Sequence, residues 1–312
     1  MKKILVSGLI AYDKILDYPG KFSDHILHDK IHTLNVSFVA QTMTEHFGGC
    51  AGNIAYNLAM LGEHPIVLGA AGKDFDPYRL HMEKIGADLK YVRTVRDKPT
   101  SQVTIMTDSG DNQIAGVYLG TMAYSCELAE SDISGDEIAI VAPGNLDDMC
   151  RLPELYRKRN VPFIFDPGQQ IPQMSTDQLR GCIPGALALI SNDYELSLIC
   201  EKLKIQESQL LDQTQYVITT LGEKGSQIKN KKETIAITAA KASTVLDPTG
   251  AGDAYRAGLI KGMIAGWSLE VSCRFAGVIS AYAIEAYGCQ SHIISFEQAK
   301  ERYRQNFGDT LS

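Results

Sequence analysis

The segment Asp247-Pro248-Thr249-Gly250-Ala251-Gly252-Asp253 lies between a β-branched approach, Ser243-Thr244-Val245, and a helical pattern that runs on through Ala254-Tyr255-Arg256-Ala257-Gly258. Pro248 pushes Asp247 out of the helical region and sets up a turn. Gly250 and Gly252 let backbone N–H groups approach an anion with no Cβ in the way. The helix start adds unpaired N–H groups and the positive end of the helix dipole. Asp253 is out of place in a pure anion site. It makes sense as a base that takes a proton from a hydroxyl while the N–H groups of Gly250, Ala251 and Gly252 hold developing negative charge. That pairing points to phosphoryl transfer; the bland reading is a Gly-rich turn with an acidic first-turn residue.

A second string, Phe47-Gly48-Gly49-Cys50-Ala51-Gly52-Asn53, opens an apolar helix that runs to Leu61-Gly62. Its glycines permit close approach of backbone to ligand, and Asn53 offers both donor and acceptor to a sugar hydroxyl. For Gly52 and Gly62, tight helix packing is the reading we prefer. Asn192-Asp193-Tyr194-Glu195 follows a buried-strand pattern and by itself is an ordinary helix cap. Thr219-Thr220-Leu221-Gly222 ends another strand in a Gly-bounded turn. The chain contains no Gly-x-x-x-x-Gly-Lys-Ser/Thr loop and no Gly-x-Gly-x-x-Gly after a strand, which removes the commonest nucleotide-binding classes. His25, His28 and His32, interspersed with Asp24 and Asp29, read as a solvated segment rather than a metal site.

The elements that must hold these residues are an alternation of short apolar runs and helix-period segments, the pattern of an α/β fold around a mainly parallel sheet. Strands are expected at Lys3–Ser7, Ile66–Ala70, Glu137–Ala142, Phe163–Asp166, Leu187–Ser191 and Tyr216–Thr220. Helices are expected at Ala51–Leu61, Pro77–Ile85, Leu152–Lys158, Tyr194–Glu201 and Ala254–Ala265, with a long one over Leu269–Tyr287. Residues 11–47 and 101–123 break the rhythm with alternating, Thr- and Val-containing segments. They predict a small second sheet, a lid on a single domain spanning residues 1–312.

With 45% hydrophobic and 21% charged residues the composition is that of a soluble globular protein, and the net charge of −7 argues against general affinity for nucleic acid or anionic membrane. No apolar run approaches a membrane span. Seven cysteines, odd in number and without a Cys-x-x-Cys pair, suggest reduced thiols and a cytoplasmic setting.

Taken together, these strings resemble the signatures of the PfkB/ribokinase family of sugar and nucleoside kinases, and the resemblance covers essentially the whole chain. It implies a ribokinase-like three-layer sandwich with a small β-sheet lid, and transfer of a phosphoryl group from ATP to a primary hydroxyl, with Asp253 as catalytic base. By the same resemblance Asp13, Gly48, Gly49 and Asn53 contact the sugar. Asn192 and Glu195 organise Mg2+ through water, and Thr220 and Gly222 form the nucleotide loop. Asp247 and Thr249 match a monovalent-cation position, which suggests K+, and Tyr287-Gly288-Cys289-Gln290 lies where the adenine pocket closes. The segments Pro19–Leu27, Asp166-Pro167-Gly168-Gln169-Gln170 and Asp253–Gly258 are similar to the bacterial adenosine-kinase-like branch, which makes Ser37, Gln169 and Gln170 expected nucleoside contacts. That branch sandwiches its purine between aromatic rings of the lid. Here Val103 and Val117, with Tyr118 alongside, stand in the corresponding stretch, so valine supplies area without stacking. A sugar kinase of ribokinase or fructokinase type and a catalytically silent ligand-binding homologue are the alternatives. A homodimer through exposed lid strands is a further expectation.

Overall fold

A computed structural model describes residues 2–26, 35–110 and 112–311. In chain order the first half contains β1 (Lys3–Ser7), β2 (Ala11–Asp17), β3 (Thr42–Gly48), α1 (Cys50–Met60), β4 (Pro65–Gly72), α2 (Asp76–Lys84), β5 (Asp88–Val95), β6 (Ser101–Thr107) and β7 (Gln113–Tyr118). The second half contains β8 (Glu137–Val141), α3 (Leu146–Lys158), β9 (Phe163–Phe165), α4 (Thr176–Cys182), β10 (Ala188–Asn192), α5 (Asp193–Leu203), α6 (Glu207–Leu210) and β11 (Tyr216–Thr220). It ends with β12 (Ser226–Lys229), β13 (Thr234–Ile237), α7 (Ala251–Ala265), α8 (Leu269–Ala283) and α9 (Phe296–Phe307).

Nine strands form the large sheet in the order β13-β12-β11-β10-β9-β8-β1-β4-β5. Its pairings are parallel from β5 to β11, and the β12–β13 hairpin adds an antiparallel edge. The central strands are apolar on both faces because helices cover both. Alternate residues make the division. Ile4, Val6, Ile138, Ile140 and Ile190 face one core with Ile54, Leu58, Tyr78 and Leu259 from α1, α2 and α7. Leu5, Ala139, Val141, Phe165 and Leu189 face the other, with Leu152, Tyr156, Leu179 and Ile199 from α3, α4 and α5. The result is three layers, as expected from the sequence.

Two helix boundaries differ from expectation by four residues or more. The helix expected at Leu152 begins at Leu146, because Asn145 caps it by accepting the Asp148 N–H and the buried stripe Met149, Leu152, Tyr156 extends back past Pro153. The long helix ends at Ala283 instead of Tyr287. There the Ile284 carbonyl accepts the N–H groups of Leu246 and Asp247, so the chain leading to the Gly-rich turn captures the helix end.

Four strands form the small sheet in the order β3-β2-β6-β7, drawn from two separated parts of the chain. Its register sets His46, Asp13, Val103 and Val117 in one row. Tyr12, Phe47, Gln102 and Tyr118 form the adjacent row. Side chains of adjacent rows point to opposite faces. Tyr118 is therefore on the face away from Asp13.

Candidate active site

The site lies at the carboxyl ends of the parallel strands, where open α/β sheets place their ligands. Asp166 follows β9, Asn192 ends β10 and Thr220 ends β11, while Asp13 enters on the small sheet just beyond β1. Opposite them Gly250, whose φ of 79° is left-handed, caps α7, and Asp253 is the third residue of that helix. An open cleft of about 460 Å³ is lined by Gln169, Asn192, Glu195, Thr220, Gly222, Gly252 and Asp253, together with Cys50, Asp166 and Arg256.

Asp253 is half-buried. Its Oδ2 accepts from Asn53 Nδ2 at 2.8 Å. Burial pushes its carboxyl up to about 6, against the opposing pull of the Asn53 bond and the Arg256 guanidinium. A carboxylate with such a pKa is ionised at neutral pH yet basic enough to take a hydroxyl proton. Gly252 and Asp253 donate their N–H groups to no protein acceptor among the described residues, so these first-turn donors face the cleft. The Ala251 N–H is partly engaged, with the Pro248 carbonyl 3.3 Å away.

Asp13 is likewise pushed up to about 6, first by burial, then by Asp247, with nearby His46 acting the other way. Gly48 lies directly against its carboxylate, where a Cβ would overlap it. Gly49 has φ of 84°, and a Cβ there would sit 2.5 Å from the Leu9 carbonyl oxygen. Gly49 is thus required by backbone geometry, and Gly48 by the Asp13 carboxylate packed against it. Gly52 is a packing glycine, since a Cβ would collide with the Tyr78 hydroxyl. Gly62 has open space around it and is instead required for its φ of 80° just past α1.

Asn192 and Glu195 form a reciprocal cap on α5: the Glu195 N–H donates to Asn192 Oδ1 at 2.7 Å and the Asn192 N–H to Glu195 Oε2 at 2.9 Å. Capping does not exhaust them, because both side chains also line the cleft. Glu195 is raised above the usual carboxylate range by burial, despite the bond from Asn192. Beside it Asp166 accepts from Arg256 Nε at 2.9 Å through Oδ2, while its buried Oδ1 has no partner. This orphaned oxygen and Glu195 are hard donors of the kind Mg2+ takes. Among the described residues no group of three His, Cys, Asp or Glu side chains could hold a metal ion by itself.

Other expected residues fall less centrally. Gln169 lines the cleft, but Gln170 is buried, with its Nε2 3.5 Å from the Met122 sulfur. Ser37 is exposed ahead of β3. Asp247 uses Oδ1 to accept the Thr249 N–H at 2.9 Å and Oδ2 to accept the Gly288 N–H at 3.0 Å. These bonds hold its carboxyl below the usual range although burial opposes them. Asp247 and Thr249 therefore do not by themselves make a cage for a monovalent cation. His28 and His32 lie outside the described residues, and His25 pairs with the Tyr18 hydroxyl at 2.6 Å.

Sequence reasoning missed a buried relay. Gln290 Nε2 donates to Asn53 Oδ1 at 3.0 Å and to the Tyr78 hydroxyl at 2.6 Å, and that hydroxyl donates to the Gly48 carbonyl at 2.8 Å. Gln290 thus joins the Asp13–Asn53 side of the site. Arg256 was also missed as a site residue. It is held protonated by Asp166, Asp253 and Glu195 against the effect of its burial. Only the shared Asp-Pro and Asp-Ala-Tyr-Arg strings hinted that Asp166 and Arg256 belong together.

A model of the pfkB family of carbohydrate kinases matches residues 1–295. A nucleoside kinase from Methanothermobacter thermautotrophicus is 32% identical over 291 residues, covering 91% of this chain and 94% of that protein. Among solved structures, Burkholderia thailandensis nucleoside kinase in complex with inosine superposes with a TM-score of 0.88 at 36% identity, covering 98% of this chain and 99% of that one. The same protein in complex with ADP-inosine gives 0.86 at 37% identity, covering 99% and 97%. This chain belongs to the pfkB family of carbohydrate kinases.

Proposed function

We propose that the protein transfers the γ-phosphoryl group of ATP to the primary hydroxyl of a nucleoside. The observation that carries this reading is the placement of Asp253. It stands at a glycine-opened helix N-terminus, hydrogen-bonded to Asn53, on a cleft that also takes in the ends of β10 and β11. The resemblance to nucleoside kinases, one of them solved with inosine and with ADP-inosine, supports the acceptor.

In this mechanism Asp13 accepts hydrogen bonds from the sugar diol against the Gly48-Gly49 backbone. Asn53 holds Asp253 Oδ2, which leaves Oδ1 for the attacking hydroxyl. Asp253 orients that hydroxyl and takes its proton as the new O–P bond forms. Free N–H groups at the start of α7, together with Gly250 and Ala251, stabilise charge on the transferring group. Thr220 and Gly222 border the nucleotide. Asp166, Glu195 and Asn192 would hold Mg2+, partly through water, and the ion would neutralise charge on the phosphates. We route no step through K+. The inner face of the small sheet covers the acceptor and helps exclude water.

Val103 and Val117 favour a second reading for the acceptor, a free pentose or hexose, because they give a base apolar area without a stacking partner. ATP with a panel of nucleosides and sugars, read as ADP release, tests the choice. Turnover confined to sugars would reverse it, and adenosine binding with no ADP from any acceptor would favour a silent homologue. Seven free cysteines and the absence, among the described residues, of a helix able to cross a membrane fit a reducing, cytoplasmic setting. The edge strand β7 is exposed along its length, with Ile114, Val117 and Tyr118 open, which supports pairing of two copies through the small sheet. Sedimentation of the purified protein checks that.

A further inference from the structure

We propose that Gln290 is a positioning residue that fixes which end of the Asn53 amide faces Asp253, and so determines whether the base is held in working orientation. The inference rests on the reading of Asp253 as the base. An amide can be inserted either way round, and only its neighbours decide. Here the decision starts at the Gly48 carbonyl, which can only accept. It takes the Tyr78 proton at 2.8 Å, so the Tyr78 oxygen is left to accept from Gln290 Nε2 at 2.6 Å. The other hydrogen of the same NH2 group goes to Asn53 Oδ1 at 3.0 Å. On the far side of Gln290, His81 Nε2 lies 3.1 Å from Oε1, and burial lowers the His81 pKa, which favours a neutral ring with one N–H to give. Every group then has a partner of the right kind, and the Asn53 NH2 is left pointing at Asp253 Oδ2 at 2.8 Å. Reversing Asn53 would set oxygen against carboxylate and N–H against N–H.

Tyr78 is fully buried, Asn53 is 3% exposed and Gln290 9%, so water cannot readily substitute for a missing member. Gln290 touches neither Asp253 nor the position of the attacking hydroxyl. It acts through Asn53, across 237 residues of chain. The charged and titratable groups acting on Asp253 are Arg256 from its own helix, Asp166 after β9 and Cys50 at the start of α1. Cys289, next to Gln290, also feels the Asp253 charge. None of these is altered by a change confined to the Gln290 side chain.

The test compares the native enzyme with Gln290→Met, which keeps length and apolar volume, and Gln290→Glu, which offers Asn53 a carboxylate and so favours the reversed amide. The readout is the acid limb of kcat at saturating nucleoside and ATP. Saturation keeps Asp13 engaged by the sugar, so the limb reports Asp253 in the ternary complex. We expect kcat to fall about tenfold in Gln290→Met and further in Gln290→Glu. In Gln290→Met the limb should move up by roughly half a unit to one unit, because Asp253 loses the hydrogen bond that lowers its pKa; in Gln290→Glu the added charge raises it as well, so the Met variant decides. The KM for ATP should stay within about twofold. A merely structural role would lower Tm and leave the limb in place, and an unmoved limb in Gln290→Met overturns the proposal. If Gln290→Met does not fold, as judged by ADP-dependent thermal shift, Tyr78→Phe removes the same anchor without a buried charge and must still move the limb upward. Asp253→Asn separates the two failures. Loss of turnover there with an unmoved limb in Gln290→Met sinks this inference alone, whereas retained turnover sinks the assignment of the base.

Discussion

Asp13 and Asp253 have the same side chain and the same direction of pKa shift, yet they are held by different parts of the molecule. Each is pushed up to about 6 by burial. Asp253 is held by its place in the first turn of α7 and by Asn53, and it feels the charge of an arginine anchored on Asp166. Asp13 stands on the small sheet in a row with His46, Val103 and Val117, with the Gly48 backbone directly against it. One carboxylate is carried by a helix packed on the large sheet, as the proposed base, which must meet a reacting atom, should be. In the proposed mechanism the other grips the sugar from a separate sheet. The difference between them is one of support, not of acidity.

The largest way to break this contrast is Asp253→Asn. We expect kcat to fall by about 10³–10⁴ with the KM for the acceptor changed by only a few fold, measured by ADP release. Asp13→Asn should do the reverse, raising the acceptor KM by about 10–100-fold while kcat at saturation falls much less. If both variants lost kcat equally, the division of labour between the two sheets would be wrong.

A stability measurement sharpens the same comparison. The folded chain keeps protons on these carboxyls between 3.8, the exposed value, and about 6, where the unfolded chain has released them. Stability contributed by the two groups therefore falls as pH rises through that window, and their full cost is present above it. Each Asp→Asn variant should be more stable than the native enzyme at pH 8, by about 1–3 kcal/mol, with the gap closing by pH 4 in denaturant titrations. A gap of the same size at both pH values would mean that burial of charge is not its source. The smallest effect is expected at the small sheet's inner face. Val103→Phe should lower the KM for purine nucleosides by a few fold and leave that for ribose unchanged, because a ring adds stacking only where a base is present.

Much of this contrast could be read from the chain. Asp253 and the glycines before it announce a helix-start anion site, and Asn192-x-x-Glu195 announces a helix cap that the structure contains. The buried runs at β1, β8, β10 and β11 foretold the large sheet. The missing parts depend on partners remote in sequence. Tyr118 looked available beside the valines, and only the pairing of Gln102 with Tyr118 shows that it faces away. Gln290 was assigned by position to the nucleotide side, whereas its hydrogen bonds run to Asn53 and Tyr78. The expected span Leu152–Lys158 already contains Pro153; the turns before it are set by the Asn145 cap and by burial of Met149 and Leu152, which only the packing shows.

The hydrogen bond between Asn53 and Asp253 joins residues 200 positions apart. Contacts of such separation form late, since the chain must give up loop entropy before it gains them. Recovery of enzymatic turnover during refolding should therefore lag behind recovery of helix content. Turnover would then time a stage of folding that circular dichroism cannot read, and simultaneous recovery of the two signals would overturn that order.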